Sequence, residues 1–296
     1  MEEPRKSFKV EISGIQYTFS NQIGIDKDLF DSFNELSKNT FGLSFAGVGG
    51  QYEPHVLALD GKVCANVSAN QIPFYYRGKR KFYIQLGTVM ADPKFRGKGL
   101  IRWLMEYVID KWKNTCDVLY LFANDTVLDF YPKFGFVKAI EYEFLQSANK
   151  IGRGKVQKLQ MNEEGNIRLV LEKYKQGNPF SALYMAENQV LLSFYCTGLM
   201  KENVYYSPRY DVIIVAENAD GKVICYDIFG RTDARLCDVL SEISSGGESE
   251  ILLGFTPSHR EGLTCQVHHE EDTTLFVHGD SPFESDRLMF PAISHA

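Results

Sequence analysis

Hydrophobic positions along the 296-residue chain switch repeatedly between a period of two and a period of three to four. Phe8 to Phe19 alternates and predicts a first strand, with a break at Gly14. Over residues 23–38, Leu29, Phe33 and Leu36 share one face and predict a helix, and a glycine-rich loop, Gly42 to Gly50, follows. His55–Leu59 and Val63–Ala69 flank Asp60-Gly61, a strong hairpin signal. Residues 82–91 predict a fourth strand. Leu100, Ile101, Leu104, Val108 and Trp112 then recur at helical spacing and predict an amphipathic helix over 99–113. Val118 to Phe122 reads as a short buried strand, Val127 to Phe134 as a short helix, and Phe136 to Leu145 as a closing strand.

This order is an α/β pattern that ends near residue 148, and Asn149–Lys155, with Gly152 and Gly154 among basic residues, reads as a linker. A similar order then recurs. Val156–Met161 predicts a strand, and Ile167, Val170, Leu171 and Tyr174 a helix stopped by Gly177-Asn178-Pro179. Leu183–Met200 holds a second helix. Val212–Ala216 and Val223–Phe229 flank the Asp220-Gly221 turn, Leu236–Ile243 is a short helix, and Glu250–Phe255 and Thr274–Val277 are strands. The expected domains are 1–148 and 156–296, joined by 149–155. The apolar end, Arg287 to Ala296, predicts a strand completing the second sheet.

Composition narrows the classes. With 44% hydrophobic and 24% charged residues the chain is an ordinary globular one, and it contains no apolar run of the ~18 residues that a membrane span needs. The acidic start, Met1 to Lys6, has no apolar stretch behind it, so no signal peptide is expected. Six cysteines without a CxxC pair fit reduced thiols in a cytoplasm. A net charge of -6 argues against a nucleic-acid binder. The charge is uneven: 18 Lys and Arg stand against 17 Asp and Glu up to Ala148, and 14 against 21 afterwards. The acidic excess of the second half fits the attraction of a cationic amine as well as ordinary solubility.

The stretch richest in chemistry is Val89-Met90-Ala91-Asp92-Pro93-Lys94-Phe95-Arg96-Gly97-Lys98-Gly99-Leu100. A strand runs into a two-glycine loop and the loop into a helix, whose first peptide N–H groups lack intrahelical partners and face the positive end of the dipole. Glycine admits close approach of an anion, and Arg96 and Lys98 add charge, so the segment has the makings of a diphosphate cradle. A tight turn alone would use the same residues. The pattern is neither GxxxxGK[ST] nor GxGxxG, since Arg102 occupies the third glycine position.

Lys94-x-x-Gly97-x-Gly99 resembles the Q/R-x-x-G-x-G/A signature of the GNAT superfamily of N-acetyltransferases, at the expected place between a fourth strand and its helix. About 30 residues on, Phe130-Tyr131-Pro132-Lys133-Phe134-Gly135-Phe136 resembles the second signature, FYxKxGF, and Asn124 stands seven residues before Tyr131, as an asparagine often does in that family. Lys94 replaces the usual Gln or Arg, and Ile101 a frequent small residue. The wording of residues 8–148 is similar to two-domain bacterial acetyltransferases whose second half is a degenerate copy of the fold. The resemblance implies a mixed, mostly antiparallel sheet, followed by a GNAT-like α/β domain without the CoA loop.

The resemblance also implies a site. Acetyl-CoA would lie where the strand ending at Ala91 splays from Val118–Phe122, its pantetheine along Val89, Met90 and Ala91. Its diphosphate would take N–H groups of Gly97, Lys98, Gly99, Leu100, Ile101 and Arg102, with Lys94, Arg96, Lys98 and Asn124 nearby. A backbone N–H near Met90 would stabilise the oxyanion as a primary amine attacks, and Tyr131 would protonate the CoA thiolate. The alternative for Tyr131 is a core aromatic. The base stays open among Glu53, His55, Asp129 and Glu141, each also readable as ordinary surface. The C-terminal tail, docked near the acceptor cleft, offers its carboxylate or His295 for the same proton.

Arg77-Gly78-Lys79-Arg80-Lys81 is either a solvated hairpin tip or a contact for the 3′-phosphate. His268-His269-Glu270-Glu271-Asp272 is a poor metal candidate, because adjacent histidines point opposite ways on a strand. Gly246-Gly247 has no basic residue beside it, so the second domain is expected to lack a cradle. The expected partner is a small-molecule amine or a peptide amino group, with neither nucleic acid nor membrane, and oligomeric state stays open. Two other functions compete: an aminoacyl- or acyltransferase of the tandem type fed by charged tRNA, and a CoA-sensing module without turnover.

Overall fold

Ser13 and Gly14 both take left-handed backbone angles, φ 51° and 76°, so the run that reads as one strand is a hairpin. The computed structural model describes residues 7–147, 156–219, 222–244 and 250–296, and the expected linker and the Gly246-Gly247 loop lie outside that range. In chain order the elements are β1 (Ser7–Ile12), β2 (Ile15–Ser20), α1 (Lys27–Phe41), β3 (Tyr52–Leu59), β4 (Lys62–Tyr76), β5 (Lys79–Ala91), α2 (Leu100–Trp112), β6 (Val118–Ala123) and β7 (Phe136–Lys138). They continue with β8 (Tyr142–Ser147), β9 (Gln157–Lys158), α3 (Glu164–Tyr174), β10 (Leu183–Met185), α4 (Gln189–Ser193), β11 (Val204–Ser207), β12 (Val212–Ala219) and β13 (Lys222–Gly230). The last are α5 (Leu236–Leu240), β14 (Glu250–Leu253), β15 (Thr264–Val267), β16 (Thr274–His278) and α6 (Phe283–Asp286). The expected α/β class with mostly antiparallel sheets is what these elements build.

Two compact units emerge: residues 1–71, 82–138 and 272–280 form the first, and residues 72–81, 139–271 and 281–296 the second. They do not follow the expected division at 148 and 156. Phe136–Leu145, expected as one closing strand, is cut after Lys138; its second part, β8, lies between β14 and β15 in the second unit's sheet. Thr274–Val277, expected in the second sheet, is β16 and lies between β6 and β7 in the first. The physical reason is strand geometry: β6 needs a partner on its outer side, and β16 supplies one over Ala123↔Thr274 to Leu119↔His278. Sequence alternation says that a strand exists, not which edge it completes.

In the first unit the strands run β1-β2-β3-β4-β5-β6-β16-β7. Alternate residues go to opposite faces. Val56 and Met90 join Ile23, Phe33 and Leu36 under α1, whereas Leu57, Val89 and Ala91 pack with Leu100, Leu104, Met105 and Val108 of α2. Asp26 starts α1 by accepting the Leu29 N–H, and Gly42 at φ 71° ends it, three residues beyond the expected limit. The expected helix Val127–Phe134 is two separate 3₁₀ turns, Asp125–Val127 and Tyr131–Phe134, the second with Pro132 in its first turn.

The second unit's sheet runs β15-β8-β14-β13-β12-β11-β9. Its core joins Ile214, Ala216, Val223, Cys225, Ile228, Val239, Leu240, Ile251 and Leu253. The expected strand Val156–Met161 shrinks to two residues, β9. Leu183–Met200 holds the expected second helix: it begins as β10 on the outer end of β4, continues as α4 and closes in a wider π turn over Phe194–Leu199. The tail is not a strand. It follows α6 and forms a 3₁₀ turn at Ala292–Ser294, with Leu288, Phe290 and Ile293 fully buried inside this unit. No described helix is long and apolar enough to cross a membrane.

Candidate functional site

The strand-loop-helix segment folds as its residue types demand. β5 ends at Ala91, a 3₁₀ turn covers Pro93–Phe95, and Gly97 and Gly99 adopt φ 76° and 84°, which a side chain would resist. Gly99 is the N-cap of α2 and offers no side-chain acceptor, and the helix begins with the Trp103 N–H donating to the Gly99 carbonyl at 3.0 Å. The N–H groups of Leu100, Ile101 and Arg102 therefore have no intrahelical acceptor. A Cβ on Gly97 would meet nothing within 4 Å, and one on Gly99 only an Ile12 methyl at 3.7 Å, so the bend is open on its outer side. The Ser13 hydroxyl donates to the Lys98 carbonyl at 3.2 Å and ties the bend to the β1–β2 turn.

The cationic side chains surround this bend. Lys94 and Arg96 are exposed, and the Arg96 Nε–H folds back to the Ala91 carbonyl at 3.3 Å. The Lys98 ammonium lies 4.7 Å from the centre of the Phe95 ring. Arg102 leans 5.8 Å over Phe134 and stands 3.9 Å from Glu106. Beside the bend, β5 pairs in parallel with β6 at Tyr83↔Val118, Ile84↔Leu119 and Gln85↔Tyr120, and the ladder stops there. From Leu86 onward the two strands part, which gives the expected splay. Val89 and Ala91 line its α2 side, and Met90 points to the α1 face, 2% exposed.

Tyr131 opens its 3₁₀ turn and is 6% exposed, its ring 5.3 Å from Phe130 and 5.9 Å from Phe276. Its hydroxyl accepts and donates no hydrogen bond among the described residues. Burial pushes its pKa up to about 12, so the phenol is fully protonated at neutral pH. Core packing and an available proton therefore coexist in one side chain. Asn124 is exposed and donates to Asp272 at 2.7 Å, while the same carboxylate accepts the Asp125 N–H at 2.8 Å. The noted His-His-Glu-Glu-Asp run thus supplies this anchor, and its link to the loop after β6 carried no local signal.

The proposed bases do not converge here. Glu53 accepts from Lys111 at 2.7 and 2.8 Å and from Asn21 at 2.7 Å, so its oxygens are engaged. His55 is fully buried, and that burial pushes its pKa down to about 4. Asp129 is an exposed loop residue. Glu141 belongs to the second unit, where it accepts the Phe290 N–H at 2.8 Å and burial pushes its carboxyl up to about 7. His295 is half-buried in the second unit, with its pKa lowered to about 4 by desolvation of the ring. The basic run serves ion pairs: Arg77 with Asp286 at 3.2 Å and Arg80 with Glu187 at 2.7 Å. His268 faces Glu143 at 2.7 Å and Glu270 at 3.9 Å, and the bond to Glu143 pushes its pKa up to about 10.

One hydrogen-bonded group had no sequence signal at all. Thr88, inside β5, takes φ 48°, and its carbonyl accepts from Asn66 at 2.8 Å while its hydroxyl meets that of Tyr52 at 2.9 Å. A β-branched residue in that region is a genuine outlier.

Residues 28–136 match the family described as the acetyltransferase (GNAT) family, a span that holds α1, β5, the bend, α2 and Tyr131. Residues 28–136 are a GNAT acetyltransferase domain. Acyl transfer is the chemistry of that superfamily. No curated protein matches the chain. Among solved structures, a conserved Enterococcus faecalis protein of unknown function, with a probable N-acyltransferase assignment, is 14% identical with a TM-score of 0.57, covering 93% of this chain and 72% of its own. A GCN5-related N-acetyltransferase from Kribbella flavida is 14% identical with a TM-score of 0.53, covering 86% and 70%. A provisionally assigned acetyltransferase from Pyrococcus horikoshii is 13% identical with a TM-score of 0.51, covering 97% and 98%. At such identities the likeness is one of fold, and GNAT-type folds span both units of the chain.

Proposed function

We propose that the protein is an acetyl-CoA-dependent N-acetyltransferase that acts on a primary amine, either a small molecule or a peptide amino group. The observation that carries this reading is the uncapped, glycine-opened start of α2 beside the splay of β5 from β6. In this reading N–H groups from Gly97 to Arg102 hold the diphosphate oxygens, with Lys94, Arg96 and Lys98 adding charge. Val89, Met90 and Ala91 pair with the pantetheine amides in place of the missing strand neighbour, and Asn124 flanks them. The N–H near Met90 stabilises the oxyanion formed when the amine attacks the thioester carbon. The C–S bond then breaks, and Tyr131 hands its proton to the departing sulfur. Because burial favours the neutral phenol, Tyr131 acts by donating a hydrogen bond and a proton, and it is restored through water by the proton that the attacking amine gives up.

Catalysis falls to the first unit, residues 1–71, 82–138 and 272–280, and the second unit is read as a degenerate GNAT-like copy without a CoA loop. Six free thiols favour a reducing, cytoplasmic setting. The deciding experiment titrates acetyl-CoA by calorimetry and follows thiol release against a panel of amines. Binding with release supports the reading. Binding without release favours a CoA sensor, and no binding favours the tRNA-linked alternative.

A further inference from the structure

The Thr88 outlier belongs to a chain of hydrogen bonds whose direction is dictated by chemistry. Asn66 and Ser68 on β4 are fully buried. The Asn66 amide nitrogen can only donate, and it does so twice, to the Thr88 carbonyl at 2.8 Å and to the Ser68 hydroxyl at 2.9 Å. Ser68, already an acceptor and sealed from water, sends its own hydrogen to the Tyr52 hydroxyl at 3.0 Å. Tyr52 therefore passes its hydrogen to the Thr88 hydroxyl at 2.9 Å. Burial pushes the Tyr52 pKa up to about 12, so the relay does not lose a proton at neutral pH. The Thr88 oxygen is thus an acceptor within the network, and its own hydrogen is not spent there, at a partly exposed position.

The chain maintains this arrangement at a cost. A β-branched residue at φ 48° is strained, and the Asn66 side-chain oxygen is buried without a donor. Strain of this kind concentrates at functional sites. Thr88 stands two residues before Met90, past the point where β5 leaves β6. We propose that the Thr88 hydroxyl is a catalytic hydrogen-bond donor to the thioester carbonyl oxygen of the acyl donor, oriented by the Asn66–Ser68–Tyr52 relay. This rests on the acetyltransferase reading and deepens it. The hydroxyl joins the Met90 peptide in holding the oxygen that turns negative when the amine attacks.

The test compares Thr88→Val, which keeps the β-branch and loses the donor, with Thr88→Ser, which keeps the donor. Wild type and both variants are saturated with acetyl-CoA labelled with carbon-13 at the carbonyl, and the infrared stretch of the bound thioester is recorded beside kcat and Kd. Thr88→Val is expected to lower kcat about 10- to 100-fold with Kd nearly unchanged, and to move the carbonyl stretch to higher frequency. Thr88→Ser is expected to restore both to within about threefold and to the wild-type frequency. Tyr52→Phe releases the hydroxyl from its enforced direction and gives an intermediate fall in kcat. Wild-type frequency and kcat in Thr88→Val would overturn the proposal while the acetyltransferase reading stands. Failure of the wild-type protein to bind acetyl-CoA would overturn both.

Discussion

The two units place a helix start at the same point of the same local pattern and treat it in opposite ways. In the first, β4 turns into β5, a loop leads to α2, and β6 returns parallel to β5. In the second, β12 pairs with β13, a loop leads to α5, and β14 returns parallel to β13 over Val223↔Ile251 to Cys225↔Leu253. The loop before α2 has glycines at φ 76° and 84° and an N-cap without a side chain. The loop before α5 ends in Arg235, whose guanidinium pairs with Asp238 of the first turn at 2.9 Å, and α5 has five residues. A side-chain ion pair thus stands at the start of α5, where the start of α2 has only glycine. α1 makes the same point within one unit, since Asp26 consumes an N–H that α2 leaves free. What separates the two helix starts is the absence of a side chain at one residue.

That contrast breaks most sharply at Gly99. Gly99→Asp supplies the carboxylate that α2 lacks, in a conformation aspartate tolerates. Acetyl-CoA affinity is expected to fall at least about a hundredfold by calorimetry, the weight of two or more charge-assisted hydrogen bonds. An unchanged Kd would remove the bend from the binding site. Next comes Tyr131→Phe, expected to cut kcat well over about tenfold while leaving the acetyl-CoA Kd nearly unchanged. Equal losses in both quantities would mark Tyr131 as packing alone.

A smaller effect tests how differently the second unit uses its interior. Asp227 on β13 is 1% exposed, and burial pushes its carboxyl up to about 7, even though Asn178 and the Ile228 N–H donate to it. A carboxyl raised above its unfolded value contributes its full stability at low pH, and the contribution is lost as pH rises through about 7. Asp227→Asn keeps both acceptor bonds and cannot ionise. Its melting temperature is expected to gain on wild type by about 3 °C or more between pH 4.5 and pH 8. A constant difference across that window would mean that Asp227 is ionised in the folded state. The smallest effect is expected from Arg235→Ala, an exposed residue, which should leave both melting temperature and acetyl-CoA stoichiometry unchanged. A second equivalent of acetyl-CoA bound by that variant would erase the distinction between the units.

The bend and its helix were legible because their signals are local: two glycines at left-handed positions, an apolar stripe at helical spacing, a tyrosine at a fixed distance. The ownership of strands was not. β8 and β16 each carry ordinary alternation, and only pairing across more than a hundred residues assigns them to their sheets. The helix inside Leu183–Met200 was legible, but the strand before it was not, because an apolar run fits either period until β4 offers an edge to Leu183–Met185. Thr88 was invisible for another reason. Threonine is a good strand residue, and its left-handed angle is imposed by Asn66 and Tyr52 from other strands.

The exchange of β8 for β16 has a consequence for biosynthesis. Every residue up to 273 must leave the ribosome before residues 274–278 arrive to cover the flank of β6, and until then the strands already made carry a bare, apolar margin. Cutting a gene of this kind at its apparent midpoint would yield two insoluble fragments, and co-expressing them would reunite the pieces only if each found the strand held by the other.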